Sequence, residues 1–338
     1  MTAFLKRIIM AVASGFVLMF FSELYFINEG PAFDVLRIGA ENPLGVIPWL
    51  LEITLWYAGC AYIFLSAVGL FRVRSFWALF LAGALFGWAV EGILVWVVYT
   101  DLPITISWPS LGWHALIDVW IGWYIIRKIL LKNNALYTVL MSVALGLFWG
   151  IWATWFWVDS EIPTIPALSF VPYTFGLIIL LILAYILLEK VAGHEFKPSV
   201  PEMILLVSWM VWTFYWQAWK TYPVSLYVLP LLYAVVLAAL WWNKRTESRP
   251  DILLTLKGQV KWVQYALLLI IPALASATYA LYYTYNIHIP IGMIVVPPLA
   301  LGGFVILGLS LIMIACRRKV EINLSKTNVP THADSEDQ

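Results

Sequence analysis

The sequence predicts an all-α, polytopic membrane protein, a transmembrane helical bundle of about ten spans with both termini in the cytoplasm. Hydrophobic residues make up 63% of the 338 residues, only 12% are charged, and the mean hydropathy is +0.88. Soluble domains are about 45–50% apolar and about 25% charged, so this protein lacks the charges that a water-facing surface needs. Apolar stretches recur along the sequence, and Lys and Arg are distributed unevenly between the links that join them.

The apolar stretches define the spans in order. A bilayer core about 30 Å thick requires about 20 apolar residues in a helix. The predicted spans are 8–27, 45–70, 75–98, 110–131, 136–158, 167–189, 202–220, 224–243, 261–285 and 291–316. Residues 1–318 are expected to form a single transmembrane domain. Residues 319–338 are polar and lack apolar periodicity, which predicts a disordered cytoplasmic tail.

The basic residues predict the orientation, because Lys and Arg are retained in the cytoplasm during insertion. With the N-terminus inside, eighteen of the twenty Lys and Arg residues lie in cytoplasmic segments, and only Arg37 and Lys220 lie outside. With an incorrect number of spans, the Lys and Arg residues would be distributed over both sides of the membrane. The expected location is the plasma (cytoplasmic) membrane.

A weak internal repeat favours an arrangement of five helical hairpins. Pro103, Pro163 and Pro223 are sixty residues apart, and each lies where an outward-running span should reach the outer surface. Proline suits such places because it cannot continue a helix but is tolerated in a first helical turn. The alternative is that every hairpin needs a turn and that turns favour proline.

The protein has twenty tryptophans. Tryptophan concentrates at membrane interfaces, where its ring is apolar and its N–H finds a polar partner. Several tryptophans are nevertheless expected deeper in the membrane, among them Trp88, Trp152, Trp212 and Trp216. These four either pack between helices or line an aromatic cavity for a flat or amphipathic ligand, and both interpretations remain open.

Ionisable residues inside the spans are the candidate site, because a charge in a membrane is costly. They are Glu23, Glu52, Glu91, His114 and Asp118. Most are predicted near the outer ends of their spans, whereas Asp118 lies about 12 Å below the start of its helix and Glu91 lies near mid-membrane. His114 and Asp118 share one helix face. The group is predicted to bind a ligand or protons along a polar path from outside, with Glu91 and Asp118 as anchors.

Three functions remain open. The first is a carrier or permease-like protein that binds a small or amphipathic molecule. The second is an intramembrane enzyme that acts on a lipid-linked substrate through Glu91, His114 and Asp118. The third is a non-catalytic subunit of a larger complex. In such a subunit, the polar residues form hydrogen bonds between helices. This structural role suits Glu23 and Glu52 best.

Cofactors and nucleic-acid partners are not expected. One histidine is few for a zinc site, and Cys60 and Cys316 fit no metal or redox spacing. No nucleic-acid-binding motif is present. The predicted partners are membrane lipids and a small or amphipathic ligand. The sequence does not indicate whether the protein forms oligomers.

The predicted outline resembles that of drug/metabolite-type carriers, in the number of spans and in the cytoplasmic termini. It departs from them in its long first outer loop, Asn28 to Pro43, and in its hairpin-like period. The resemblance is limited to architecture, which does not establish function.

Overall fold

The computed structural model describes residues 1–27, 30–158, 164–244 and 250–327, and all regular secondary structure in these ranges is helical. The helices are α1 Ala3–Met19, α2 Gly30–Glu41, α3 Val46–Leu70, α4 Phe76–Ala89, α5 Ile104–Ser107, α6 Ile126–Leu131, α7 Ala135–Trp152, α8 Ala167–Val191, α9 Val200–Phe214, α10 Ser225–Lys244, α11 Ile252–Thr255, α12 Trp262–Leu267, α13 Ile270–Thr284 and α14 Ile291–Thr327. Four segments have wider π-helical turns: π1 Phe20–Leu24, π2 Val90–Leu94, π3 Ser110–Ile125 and π4 Tyr215–Trp219.

Eight helical segments of the described residues are long and apolar enough to cross a membrane. They are Ala3–Leu24, Pro43–Leu70, Phe76–Leu94, Ala135–Trp157, Ala167–Val191, Ser225–Lys244, Trp262–Thr284 and Ile291–Cys316. The protein is therefore an all-helical, multi-pass membrane protein. The predicted spans 110–131 and 202–220 are also helical, as π3–α6 and α9–π4. Neither of these two is among the eight.

Three helices begin with a side-chain cap. Thr2 accepts a hydrogen bond from the backbone N–H of Leu5 at 3.3 Å, at the start of α1. Ser75 caps α4 in the same way, and Asn134 accepts from two backbone N–H groups of α7. Such caps satisfy backbone donors that have no partner inside the helix, and so they fix where each helix begins.

The centre of the bundle is formed by α1, α4 and π3. α1 packs against α3, α8 and π3, while α4 packs against α3, α10, α14 and π3. Glycines allow the closest approaches: a Cβ added at Gly15 would lie 2.6 Å from the backbone nitrogen of Ala58 in α3. At Gly112 in π3, it would lie 2.5 Å from the carbonyl oxygen of Leu299 in α14. Small residues of this kind let membrane helices pack backbone to backbone.

The predicted hairpins pack closely in the first half of the protein only. α1 and α3 are paired, and so are α4 and π3. Further along, α7 packs mainly against α13, and α8 packs against α1 and α13 rather than against α7. Helix partners in a membrane are chosen by the fit of small and large side chains, so neighbours in sequence need not be neighbours in the bundle.

The structure gives no support to the sixty-residue repeat. Pro163 lies outside the described residues. Trp152 and Trp212, which coincide at this offset, have different environments: Trp152 is fully buried, whereas Trp212 is 58% exposed. At the C-terminus, α14 extends to Thr327 and so includes the first part of the predicted tail; residues 328–338 lie outside the described ranges.

The segments predicted to be cytoplasmic meet at one end of the bundle. Arg7 at the start of α1 donates to Glu202 at the start of α9, with Nε and Oε2 2.8 Å apart. Three further contacts connect the same end: Arg74 with Asp251 at 3.0 Å, Arg127 with Glu189 at 3.2 Å, and Asn133 with the carbonyl oxygen of Gln259 at 3.0 Å. The links after α3, α6, α8 and α10 and the N-terminus therefore share one end.

Candidate functional site

His114 lies between two carboxylates in the interior of the bundle. Its Nδ1 is 2.7 Å from Oδ2 of Asp118, on the same helix, and its Nε2 is 2.8 Å from Oε1 of Glu91 on π2. Asp118 is fully buried, and His114 and Glu91 are 2% and 7% exposed. The structure thus joins three of the five predicted ionisable residues in one hydrogen-bonded unit, which we call the His114 triad.

The triad forms because α4 and π3 are in close contact. Gly83, Gly87 and Glu91 recur every four residues and so lie on one face of α4 and π2. A Cβ added at Gly87 would lie 2.8 Å from the carbonyl carbon of Ser110, and one added at Gly83 would lie 3.1 Å from Cα of Ala115. The two glycines therefore bring the helices together one and two turns before Glu91, and the carboxylate then reaches His114.

The ionisable residues of this region all lie on π-helical segments. Glu23 is on π1, Glu91 is on π2, and His114 and Asp118 are on π3. At the start of π3, the carbonyl oxygen of Pro109 accepts hydrogen bonds from the backbone N–H groups of both Trp113 and His114. π-Helical turns are rare and occur frequently at functional sites, because the wider turn redirects side chains.

Glu23 lies near the triad with its own hydrogen-bond partners. Its carboxylate accepts hydrogen bonds from the hydroxyl of Tyr57 on α3 and, at 3.3 Å, from that of Ser22. π1, which carries Glu23, packs against π3, which carries His114 and Asp118. Glu23 is half-buried, whereas Tyr57 is only 3% exposed. Tyr57 is not among the residues predicted from the sequence, although a tyrosine in the middle of a span needs a partner for its hydroxyl.

Glu52, the fifth predicted residue, lies away from the others. It is exposed on the surface of α3, in a groove of about 730 Å³ between α1, α3 and α9. Glu52 therefore does not belong to the same polar path as the triad. The reason is its helix face: Thr54 and Tyr57 point into the bundle, and Glu52 points away from it.

The four deep tryptophans, for which an aromatic cavity was one of two interpretations, do not line one cavity. Trp88 is buried and donates its Nε1–H to the carbonyl oxygen of Ile106 at 2.9 Å. Trp152 is buried in a stack of rings, 5.0 Å from Trp113 between centroids. Trp212 and Trp216 are 58% and 51% exposed, because that face of α9 and π4 points away from the bundle.

Aromatic packing makes the surroundings of the triad poorly solvated. The ring of Phe86 stands edge-on to that of His114, with 5.8 Å between centroids. Trp113, next to His114 in sequence, is fully buried and donates its Nε1–H to the carbonyl oxygen of Phe21 at 2.9 Å. Electrostatic interactions are strong in such surroundings, and an unpaired charge is correspondingly costly.

The hydrogen bonds of the triad determine how many protons it holds. Each hydrogen bond between a ring nitrogen and a carboxylate oxygen contains one proton, whichever of the two atoms carries it. With both bonds formed, the three groups together bear one net negative charge. Oδ1 of Asp118 is buried and has no hydrogen-bond partner among the described residues. This oxygen is therefore a position where a further proton would neutralise the triad.

A metal does not fit this arrangement. Both ring nitrogens of His114 are engaged with carboxylates, so neither is free to bind an ion. In the described ranges, no group of three or more His, Cys, Asp or Glu side chains has the geometry of a metal site.

A second buried polar cluster, missed in the sequence analysis, lies further along the same helix. Arg127 is only 1% exposed, although its sequence position predicts a cytoplasmic link. Its guanidinium donates to Glu189 at 3.2 Å and to the carbonyl oxygen of Gly258 at 3.1 Å. Tyr265 also donates to Glu189, at 2.8 Å. Arg127 of this cluster lies on α6, which directly follows π3, the helix that carries His114 and Asp118.

The His114 triad is therefore the candidate site, with Glu23 and Tyr57 beside it. Its interpretation depends on its own geometry and chemistry. Comparisons with protein families, with curated proteins and with solved structures find no match to this protein.

Proposed function

We propose that this protein is a proton-coupled carrier for a small or amphipathic molecule, in which the His114 triad binds the proton. The observation that carries the proposal is the position of His114 between two carboxylates in the bundle interior. Ionisable residues at such depth are typical of proton relays in pumps and transporters. Carriers also place their coupling sites near the midplane, and Glu91 lies where α4 continues into the wider turns of π2.

The proposed topology has ten spans with both termini in the cytoplasm of a plasma-membrane protein. The eight apolar segments, together with π3–α6 and α9–π4, supply the ten. Support for the orientation comes from the ion pairs that join Arg7, Arg74 and Arg127 to acidic partners at one end of the bundle. An even number of spans puts both termini at this basic end, which the positive-inside rule assigns to the cytoplasm.

An enzyme is the second candidate, and one observation favours it. The three side chains that the sequence analysis named for catalysis are in direct contact, as acid–base chemistry requires. However, His114 is bonded at both nitrogens, and Asp118 is fully buried. Glu91 is the most exposed of the three at only 7%, so a substrate has little access to the triad without rearrangement, which favours storage of protons over catalysis.

The test measures charge movement in the absence of any transported molecule. Proteoliposomes adsorbed on a solid-supported membrane receive a step in external pH. A carrier is expected to give a transient current as protons enter the triad, and the current decays when the site is full. Glu91→Gln should reduce the displaced charge to that of empty liposomes, because it removes one of the two carboxylates that share protons with His114.

Glu52→Gln is the matched control, since it neutralises an exposed carboxylate outside the triad, and it should leave the current unchanged. A sustained current would indicate a channel instead. A signal that Glu91→Gln does not change would contradict proton binding by the triad. The polar residues would then be hydrogen bonds between helices, as expected of a non-catalytic subunit.

A further inference from the structure

The groove between α1, α3 and α9 contains an accessible carboxylate without a basic partner. This groove, which we call the Glu52 groove, has a volume of about 730 Å³ and is lined mainly by apolar and aromatic side chains. Glu52 is exposed in it and makes no hydrogen bond or ion pair with the described residues. None of the described residues that line it is a Lys, Arg or His. The groove therefore lacks the positive charge that would compensate its carboxylate.

Glu52 lies at a level where the surface of α3 is still apolar. Leu51 and Leu55 on either side of it are exposed, and so is Leu44, about two turns further out. Apolar side chains exposed on a membrane helix are in contact with lipid. From Glu52 to Leu70 at the cytoplasmic end of α3, the rise is about 27 Å, compared with about 30 Å for the hydrocarbon core. An unpaired charge is costly at this depth, which indicates a functional role for the carboxylate.

The other acid of the groove already has its partners. Glu202 lies at the cytoplasmic end, where Arg7 and the hydroxyl of Tyr62 donate to its carboxylate. Along α3, Glu52 and Tyr62 are separated by a rise of about 15 Å. The groove thus has one uncompensated negative charge at its outer end, followed by an apolar stretch that leads towards the cytoplasm.

Two tryptophans form the wall of the groove next to Glu52. Trp56 is four residues after Glu52 and so lies on the same face of α3. Its ring stacks on that of Trp209 of α9, with 5.0 Å between centroids, and both residues are partly exposed. A Cβ added at Gly59 would overlap the ring of Trp209, so this glycine allows the ring to lie against α3. Indole faces attract cations, and the same positive charge can therefore interact with the carboxylate and with aromatic surface.

The charge and shape of the groove define its ligand. Lipid chains alone would leave Glu52 uncompensated, and an anion would be repelled by it. A positive group beside Glu52 compensates the carboxylate, and an apolar chain on the same molecule covers the stretch towards Tyr62. We infer that the Glu52 groove binds a monovalent cationic amphiphile, with its ammonium group beside Glu52 and Trp56. This site goes beyond the proposed function, because binding here does not require the His114 triad to bind protons.

The test uses tritiated dodecyltrimethylammonium and the full protein in nanodiscs of a zwitterionic lipid. Binding is measured by scintillation proximity at constant pH against empty discs, and saturable binding is expected. Glu52→Gln should weaken it by about ten-fold or more, a loss of about 1.4 kcal/mol, because the charge is removed and the size of the side chain is kept. Since Glu52 has no partner among the described residues, the thermal unfolding temperature should not change.

Glu41→Gln is the matched control for charge. Glu41 is an exposed carboxylate at the end of α2 and does not line the Glu52 groove. Its neutralisation should leave the binding of dodecyltrimethylammonium unchanged. If Glu41→Gln and Glu52→Gln weaken binding equally, cations are attracted by the outer surface in general, and the inference is overturned.

A pair of substitutions on α9 tests the location. Leu205 lines the Glu52 groove, whereas Val207 lines a separate groove on the opposite side of α9, and both side chains are exposed. Leu205→Trp fills part of the space for the apolar chain and should weaken binding by about ten-fold. Val207→Trp adds the same ring on the other side and should have no effect. Equal effects of the two would overturn the assignment of the groove.

A neutral competitor tests the chemical class. Unlabelled dodecyltrimethylammonium should displace the tracer, whereas dodecanol has the same chain without the charge and should compete weakly. Displacement by dodecanol as effective as by the cation would show that the chain alone is recognised. That result, or the absence of saturable binding, would overturn the inference. Cation binding is measured at constant pH and proton displacement without any such cation, so failure of one proposal does not affect the test of the other.

Discussion

Nε2 of His114 and Oε1 of Glu91 are 2.8 Å apart across the contact between α4 and π3, in the interior of the bundle. The bond requires a close approach of the two helices. It also requires that His114 compensates the charges of Glu91 and Asp118. Each condition leads to predictions.

Substitution of Gly87 by Ala tests the helix approach. The new Cβ would lie 2.8 Å from the carbonyl carbon of Ser110, so α4 and π3 must move apart. Overpacking of this kind costs about 1–3 kcal/mol of the free energy of unfolding, and the Glu91–His114 bond should lengthen. Thermal unfolding in detergent measures the loss. Gly176→Ala in α8 is the control, because no atom lies within 4 Å of its added Cβ; a loss as large as that of Gly87→Ala would contradict the account.

Removal of His114 tests the charge arrangement. His114→Ala leaves Glu91 and Asp118 without their shared partner in a poorly solvated interior. Breaking a buried ionic pair in this way costs about 3–5 kcal/mol, which should appear as a lower unfolding temperature or reduced yield. Glu91→Gln in the same protein removes one of the two charges and should restore part of the loss. If the double variant is no more stable than His114→Ala alone, repulsion between the carboxylates is not the cause.

The two carboxylates should act as one unit in proton binding. Glu91→Gln and Asp118→Asn are each expected to abolish the charge displacement caused by a pH step, because both share protons with His114. The double substitution should therefore add little, as expected for residues coupled through one network. Additive partial losses from the two single variants would show that they bind protons independently.

The proposed topology can be tested by cysteine labelling in a variant without Cys60 and Cys316. Several exposed positions are available for labelling. New cysteines at three positions should react with an impermeant thiol reagent added to intact cells: Asp101, Lys220 and His288. Cysteines at three others should react only after permeabilisation: Lys132, Lys197 and Lys257. A mixed pattern would contradict ten spans with cytoplasmic termini.

Part of the site can be detected in the sequence from the spacing of residues along a helix. His114 and Asp118 are four residues apart, and their shared face follows from that spacing alone. Gly83, Gly87 and Glu91 also recur every four residues, which indicates a close helix contact that ends in a carboxylate. Tyr57 and Arg127 are different, because their partners, Glu23 and Glu189, lie on other helices.

The sequence by itself determined that this is a helical membrane protein and where its apolar spans lie, because hydropathy and length are local properties of the chain. Only the tertiary structure decided which side chains meet. Glu91 and Glu52 are both carboxylates within spans, yet Glu91 binds His114 and Glu52 is exposed. Trp152 is buried in a stack, whereas Trp212 is not. These differences depend on how each helix is rotated and which helices it contacts, and both are set by packing between segments far apart in sequence.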